Sequence, residues 1–337
     1  MKITIDEIAE MAKVSKTTVS RVLNNKPDVK PETREQIQAL IAKYDFKPNA
    51  MAKAFSIQKS HSIGLIIPHE ATYIFSNPFY VEVMRGVSTE VDKLGYFLFL
   101  CYPHDQNYMD IFKQKRVDGF ILMSPGSFHH NIIASLNSVN APFVSTSFVP
   151  DEKEMVYVDV DNYHGAILVM EHLISLGHTR VGFIGKPNLT SSIERLDGYK
   201  DTLQKHNIAI DPDLIRVAEN ASIHGGAQIM EELLKIQDPP TAVFLVNDML
   251  AIGAVRMIQD FGLSVPKDIS IVGFDDVPLA ECINPPLTTV HQPAFEKGAK
   301  AARMLVQILE KKKTPKSQIL DVQLVLRKTT GPAPEKR

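Results

Sequence analysis

From residue 62 onward, short apolar runs alternate with stretches of helical period, and that alternation leaves few folds open to the chain. SIGLIIP, starting at Ser62, is an apolar run closed by a proline, as a buried strand would be. A helical stretch follows from Pro78 to Leu94, then strands at Phe97–Cys101 and Phe120–Met123. Helices are predicted over 162–176, 193–206, 224–236 and 248–260, with strands at Val181–Ile184, Ala242–Val246 and Ile269–Val272. Strands alternating with helices of this length imply parallel, doubly wound sheets covered on both faces. At 337 residues the chain exceeds one ordinary domain and suits a small module plus a two-lobed α/β core. Ligands of such sheets sit outside the carboxyl ends of the strands, which between two lobes is the cleft.

The charge is unevenly spread. Residues 1–60 carry 11 Lys/Arg against 7 Asp/Glu, a net of +4, and the remainder carries 26 against 32, a net of −6. A basic head on an acidic body fits a head that meets phosphate. No run of about 18 apolar residues exists, so no membrane span is expected. MKITIDEIAE lacks the apolar core of a signal peptide, so a cytoplasmic chain is expected. Cys101 and Cys282 form no metal-binding spacing and no disulfide framework.

The first sixty residues read as three short helices. Thr4 and Glu7 have the spacing of a capping box, and Ile5, Ile8, Ala9 and Ala12 follow on one face. After a break at Lys13-Val14-Ser15, Ser15 is placed to cap a second helix that turns Val19, Val22 and Leu23 inward. Pro31 opens a third, with Ile37, Leu40, Ile41 and Tyr44 at i, i+3, i+4, i+7. A tight turn between the first two is the mark of a helix-turn-helix. The second helix leaves Lys16, Thr17, Thr18, Ser20 and Arg21 outward, short donors and long cations of the type that meets phosphates and major-groove base edges. Taken by itself, such a face is more often only solvated. Further on, Asn49 is a good N-cap before the Ala-rich segment Ala50–Phe55, about two turns of helix that would be marginal alone in water.

The segment from Thr4 to Phe55, with its V-S-x-x-T-V-S-R-V-L-N core and later K-P-N-A-x-A, resembles the DNA-binding head of the LacI/GalR family along its whole length. The resemblance implies that Lys16, Thr17 and Arg21 read bases. Thr4, Ser15, Thr18, Ser20 and Asn25 would make phosphate or positioning contacts, and Val19 would be core. It also implies a hinge helix that folds as two copies pair in the minor groove, where Asn49, Ala52 and Lys53 meet DNA and one side chain wedges into the central base step. The family usually has Leu at that position, where this chain has Phe55. Lys53 stands where Arg is common, and Lys30 stands where Ser usually caps the third helix.

The larger part is similar to the same family's regulatory core, which shares the periplasmic sugar-binding-protein fold. NPFYVEVMRGV, RVDGFIL, VDVDNYHGA, LISLGHTRVGFIG, RLDGY, VNDMLAIGAV, DISIVGFDD and PPLTTVHQP carry the likeness in order. The resemblance implies a head at 1–46, a hinge at 47–61 and a core at 62–337. The core would divide into an N-lobe of 62–161 and 291–322 and a C-lobe of 162–290 and 323–337. Between Tyr96 and RVDG the chain is short for this family, so the second helix of the N-lobe is expected to be abbreviated.

Arg195 is the foremost effector-binding candidate, because a guanidinium offers a planar fork of donors. Its competing reading is a surface ion pair with Glu194 or Asp197. Asp275 of GFDD faces the cleft by resemblance, with Asp276 structural. Asn247 can donate and accept at once, and Asp248 is expected to cap the next helix. Phe79 supplies either an apolar platform or ordinary core, and Ser147, Ser192 and Gln292 complete the set. Ala221 lies where some relatives carry a stacking aromatic, which implies a wider pocket and disfavours a purine.

Enzyme signatures are missing: there is no G-x-G-x-x-G after the first strand, no P-loop and no G-x-S-x-G. His129 and His130 are adjacent, unlike metal ligands at i, i+4. A secreted sugar-binding protein would need a signal peptide and has no use for a helix-turn-helix. The resemblance therefore implies a non-enzymatic transcriptional repressor without metal or cofactor. It would be a homodimer on pseudo-palindromic operator DNA, with helices at 293–312 and around 80–94 at the interface, and its effector would be a sugar or sugar phosphate. A purine- or nucleoside-sensing repressor, or one controlled by a phosphocarrier corepressor, is the alternative. The spacing from NPFY to GFDD is most similar to regulators of maltose-type sugar operons.

Overall fold

A computed structural model describes residues 3–23, 25–46, 59–67, 71–102, 107–123 and 129–335. The chain divides into two compact units, Met1–Ser60 and His61–Arg337. In the smaller, the helices are α1 (Ile5–Met11), α2 (Lys16–Leu23) and α3 (Pro31–Lys43). The capping box forms: Glu7 N donates to Thr4 Oγ1 at 3.3 Å while Thr4 N donates to Glu7 Oε2 at 2.7 Å. Ser15 Oγ accepts from Thr18 N at 3.1 Å and so starts α2. Lys30 gives α3 no side-chain cap, and Pro31 opens that helix in its place. Ile8, Ala9, Ala12, Val19, Val22 and Ile37 make the core where the three helices meet.

The larger unit begins with β1 (Ser62–Ile66), α4 (Ala71–Ser76), α5 (Pro78–Lys93), β2 (Phe97–Cys101) and α6 (Asn107–Lys113). Next come β3 (Gly119–Leu122), α7 (His129–Ser138), β4 (Phe143–Ser145) and β5 (Tyr157–Val160). Then follow α8 (Asn162–Ser175), β6 (Val181–Gly185), α9 (Thr190–Lys205), β7 (Ile215–Val217), α10 (Ile223–Leu234), β8 (Ala242–Leu245), α11 (Asp248–Asp260) and β9 (Ser270–Val272). The chain closes with α12 (Leu279–Cys282), β10 (Thr289–His291), α13 (Ala294–Leu309), β11 (Ser317–Leu320) and β12 (Gln323–Val325).

Two parallel sheets result. One runs β11-β5-β4-β3-β1-β2 and the other β7-β6-β8-β9, while β10 and β12 form an antiparallel pair. The chain leaves the first sheet after Val160, returns to it through α13 and β11, and leaves again at β12. These passages make the cleft between the lobes. The abbreviated N-lobe helix is α6, at seven residues.

Helix α13, expected at the interface, has its apolar face turned inward. It is a core helix: Ala301, Ala302, Met304 and Leu305 are buried. It lies backbone to backbone on α5, since a Cβ on Gly86 would come within 2.0 Å of Phe295 O and one on Gly298 within 2.1 Å of Val83 O. Two glycines thus set the approach of these helices. Apolar surface is open on β2, where Phe97, Phe99 and Leu100 are exposed on the edge strand of the larger sheet. No helix of the described residues is long and apolar enough to cross a membrane.

Candidate functional site

In the smaller unit, Lys16, Thr17 and Arg21 are exposed on α2 while Val19 is fully buried. Both long cations are held by acids: Lys16 Nζ lies 2.9 Å from Asp6 Oδ2, and Arg21 Nη1 lies 3.2 Å from Asp28 Oδ2. Thr18 is half-buried, and its hydroxyl is 2.9 Å from that of Ser15. Ser20 is half-buried on the same helix. Asn25 sits at φ +52° and accepts from Arg34 Nη1 at 3.3 Å. Thr4 is exposed and engaged in its capping box. Asn49, Ala52, Lys53 and Phe55 lie outside the described residues.

In the larger unit, a cleft of about 550 Å³, its mouth included, gathers six of the seven expected ligand residues: Phe79, Ser147, Arg195, Asn247, Asp275 and Gln292. They come from α5, the loop after β4, α9, the end of β8, the loop after β9 and the loop after β10. The seventh, Ser192, is buried behind the wall, where its Oγ accepts from Lys186 N at 2.9 Å. It positions the loop after β6 and does not line the cleft.

Arg195 is no surface ion pair. Its side chain is 6% exposed, its Nε and Nη2 donate to Asn162 Oδ1 at 3.0 and 2.7 Å, and Nη1 donates to Val246 O. The guanidinium carbon stacks 3.5 Å from the centre of the Phe274 ring. Glu194 turns instead to Asn162, whose Nδ2 donates to it at 2.9 Å. Burial lowers the Arg195 pKa, against the opposing pull of Asp275, Asp159 and Glu194.

Asp275 sits at φ +128°, a strained position for a residue with a side chain. Its N donates to Val290 O at 2.9 Å, which turns the carboxylate inward, where Gln292 Nε2 donates to Oδ1. Burial, and then the Asp248 charge, push its pKa well above the ordinary carboxylate range. Gln292 Oε1 is buried and has no partner among the described residues. Asn247, and not Asp248, caps α11: its Oδ1 accepts from Leu250 N at 2.8 Å. Asp248 is buried at the first position of the helix. Its carboxylate accepts from Val277 N at 2.8 Å and from the Thr289 hydroxyl, and burial pushes its pKa up to about 6. Asp276 pairs with Arg327 Nη2 at 2.7 Å and His291 Nδ1 at 2.9 Å.

Several lining residues are not among the candidates that the sequence offered. Asn77 caps α5, its Oδ1 accepting from Phe79 N at 3.0 Å, and Tyr80 meets Phe79 edge to face at 5.4 Å. Asn162 orients Arg195, and Lys297 makes a buried pair with Asp159 at 2.8 Å. Lys186 follows β6 and is half-buried. Ala221 is on the wall, as expected, and adds no ring.

Residues 4–49 match the family model for bacterial regulatory proteins, lacI family, and residues 170–330 match that for a periplasmic binding protein-like domain. The HTH-type transcriptional regulator DegA of Bacillus subtilis (strain 168) is 33% identical over 98% of this chain and 99% of its own length. The HTH-type transcriptional repressor PurR of Aliivibrio salmonicida is 32% identical over 92% of this chain and 93% of its own. Among solved structures, the lac repressor dimer bound to operator and the anti-inducer ONPF superposes with a TM-score of 0.84. It is 29% identical and covers 98% of this chain and all of its own. A transcriptional regulator CelR–cellobiose complex superposes at 0.75, with 28% identity over 97% of this chain and 99% of its own.

Proposed function

The chain belongs to the LacI family of bacterial regulatory proteins, and from that footing we propose that the cleft of its larger unit takes a sugar-class effector that governs operator binding by the smaller one. It is a DNA-binding transcriptional repressor under small-molecule control. Its relatives are transcriptional regulators, and we assign this chain no catalytic role. Its work is in the cytoplasm, where the operator is.

The observation that carries the sugar reading is the cleft lining. Rings of Phe79 and Tyr80 stand beside Arg195, Asn247, Asp275 and Gln292, an apolar surface with convergent donors and acceptors. Gln292 Oε1, buried and unpartnered, asks for a donor such as a ligand hydroxyl. CelR, in its structure, is a complex with cellobiose.

The operator side rests on α2. Lys16, Thr17 and Arg21 read bases in the major groove. Thr4, Ser15, Thr18, Ser20 and Asn25 hold the phosphates. Asn49, Ala52 and Lys53 meet the DNA from a hinge at 47–61, with Phe55 as the wedge. Two copies bind a pseudo-palindromic site, as two-fold symmetry in protein and DNA go together. The lac repressor is a dimer on its operator, and the exposed β2 edge supplies this chain with an apolar surface for pairing. The core divides at the passages between its sheets, with 62–161 and 291–322 in one lobe and 162–290 and 323–337 in the other.

Control requires differential affinity: the effector must bind one of the two operator-binding states better than the other. A thermal-shift screen against sugars, sugar phosphates, nucleobases and nucleosides tests the reading, because a ligand selective for the native state raises the melting temperature. A shift with sugars, followed by a change in operator affinity on adding the same sugar, supports it. A shift confined to nucleobases or nucleosides refutes the effector class and leaves the repressor assignment in place.

A further inference from the structure

With α2 as the helix that enters the groove, its charges decide how an operator is told from any other duplex. Lys16 and Arg21 are the only charged side chains of that helix. Each is paired to an acid from outside it, Lys16 Nζ to Asp6 Oδ2 at 2.9 Å and Arg21 Nη1 to Asp28 Oδ2 at 3.2 Å. All four side chains are more than half exposed, so both pairs stand on the surface that DNA would meet.

Both acids are carried on anchored backbone. Asp6 lies in the first turn of α1, where Glu7 takes the Thr4 amide and leaves the Asp6 carboxylate to other partners. The helix dipole favours an acid at that place, but it does not call for a lysine ten residues on to reach it. Asp28 lies in the turn between α2 and α3. Lys26 N donates to Arg21 O at 2.9 Å, Arg34 Nη1 donates to Asn25 Oδ1 at 3.3 Å, and Arg34 Nη2 donates to Lys26 O. Val29 packs on the core of the three helices and fixes the far side of the turn.

A cation meets phosphate by charge and a base edge by hydrogen bonds. Phosphate affinity comes from the counterions that a cation displaces from the duplex. A cation paired with a carboxylate is neutral as a unit and displaces none, and its acid is repelled by the phosphates. Its donors are not used up. An ammonium has three N–H groups and a guanidinium five, so both keep donors for guanine O6 and N7, which are neutral acceptors.

We propose that Asp6 and Asp28 determine operator specificity by holding Lys16 and Arg21 back from phosphates, so that both cations add to binding only where a base edge accepts their remaining donors. This rests on the reading of α2 as the recognition helix. The two acids act through the cations and are positioning residues.

The test uses the full-length protein, a random-sequence duplex, and a duplex selected from a random pool by the wild type. Asp6→Asn combined with Asp28→Asn, its fold checked by circular dichroism, should bind the random duplex about tenfold more tightly at low salt. The slope of log affinity against log salt should steepen by about one for each cation released. Affinity for the selected duplex should stay nearly constant, so the ratio of the two falls about tenfold. Unchanged affinity and slope on the random duplex overturn the inference, as does an equal gain on both duplexes. Glu10→Gln combined with Glu35→Gln removes as much charge from exposed acids outside the two pairs. The same change of ratio there overturns it too, since net charge would then suffice. Loss of selectivity in Arg21→Ala without any effect of the Asp variants ends the inference and spares the reading of α2. Full selectivity in Arg21→Ala ends both.

Discussion

The cleft depends on buried charges that are each held by a few hydrogen bonds, so conservative substitutions there should have large effects. Arg195→Lys keeps the charge and loses the planar fork that bridges Asn162 and Val246. The effector-induced rise in melting temperature should fall to nearly nothing, the loss of about 2 kcal/mol or more of binding; an undiminished shift would move the pocket elsewhere. Asp248 makes a different prediction, in pH. Its buried carboxyl titrates near 6 against an ordinary 3.8, so the folded state holds its proton more tightly than the unfolded chain does. Stability from this group is then greatest below pH 3.8 and declines as pH rises to about 6, with no further change above. Asp248→Asn keeps an acceptor for Val277 N and a donor for Thr289, and it cannot ionise. Urea unfolding should show wild type losing about 1 kcal/mol relative to Asp248→Asn between pH 5 and 7. A constant difference across that interval counts against a raised pKa. At this scale the sequence was partly readable. Arg195 and Asp275 stood in motifs that pointed to a cleft, and their chemistry marked them. Lys186 and Lys297 stood outside those motifs, and Asn162, although inside VDVDNYHGA, was not singled out, because only the packing of the core brings all three to one wall. Asp248 was read as a cap because an acid at a helix start commonly is one. The preceding Asn247 has the extended backbone an N-cap needs and takes that role.

Helix and strand faces decide what each element meets. The Arg21 side chain is half exposed and its pair with Asp28 is a surface ion pair worth at most about 1 kcal/mol. Arg21→Ala should therefore leave the head folded. Selective operator binding should still fall by about 1–3 kcal/mol, the size of a base contact, in competition against random duplex. Retained selectivity would remove α2 from the reading role. On the edge strand β2, Phe97 is 70% exposed and Phe99 48%. An open apolar edge invites pairing with another chain, and a charge there discourages it. Phe97→Asp should raise the dimer dissociation constant about tenfold or more, read by sedimentation, with the circular dichroism spectrum unchanged; an unaltered dimer would shift the interface off β2. Long amphipathic helices and apolar strands were legible because their periods repeat over many residues. Strands β4, β7, β11 and β12 are only three or four residues long, too short to show a period, and their pairing is set by distant partners. The amphipathic pattern of helix α13 does not say which surface covers its apolar face. The small faces at Gly86 and Gly298 put α5 there.

The chain forms two compact units, Met1–Ser60 and His61–Arg337, and in a repressor under small-molecule control one must report the state of the other. Thermodynamics restricts how that can happen. If the effector weakens operator binding by some factor, operator must weaken effector binding by the same factor, because both paths close one cycle. Coupling of this kind usually amounts to about 1–3 kcal/mol, or roughly 5- to 150-fold. Titration of effector into the free protein and into its complex with a pseudo-palindromic duplex gives one side of the cycle. Titration of duplex with and without saturating effector gives the other. We expect equal factors when protein concentration is held well above the dimer dissociation constant. Dilution into the monomer range should break the equality, since assembly then enters the cycle as a third equilibrium. Equal factors near one at every concentration would mean that the cleft is uncoupled from the head, whatever it binds. A mismatch at high concentration would require a further state of the dimer, with one effector site filled and its partner empty.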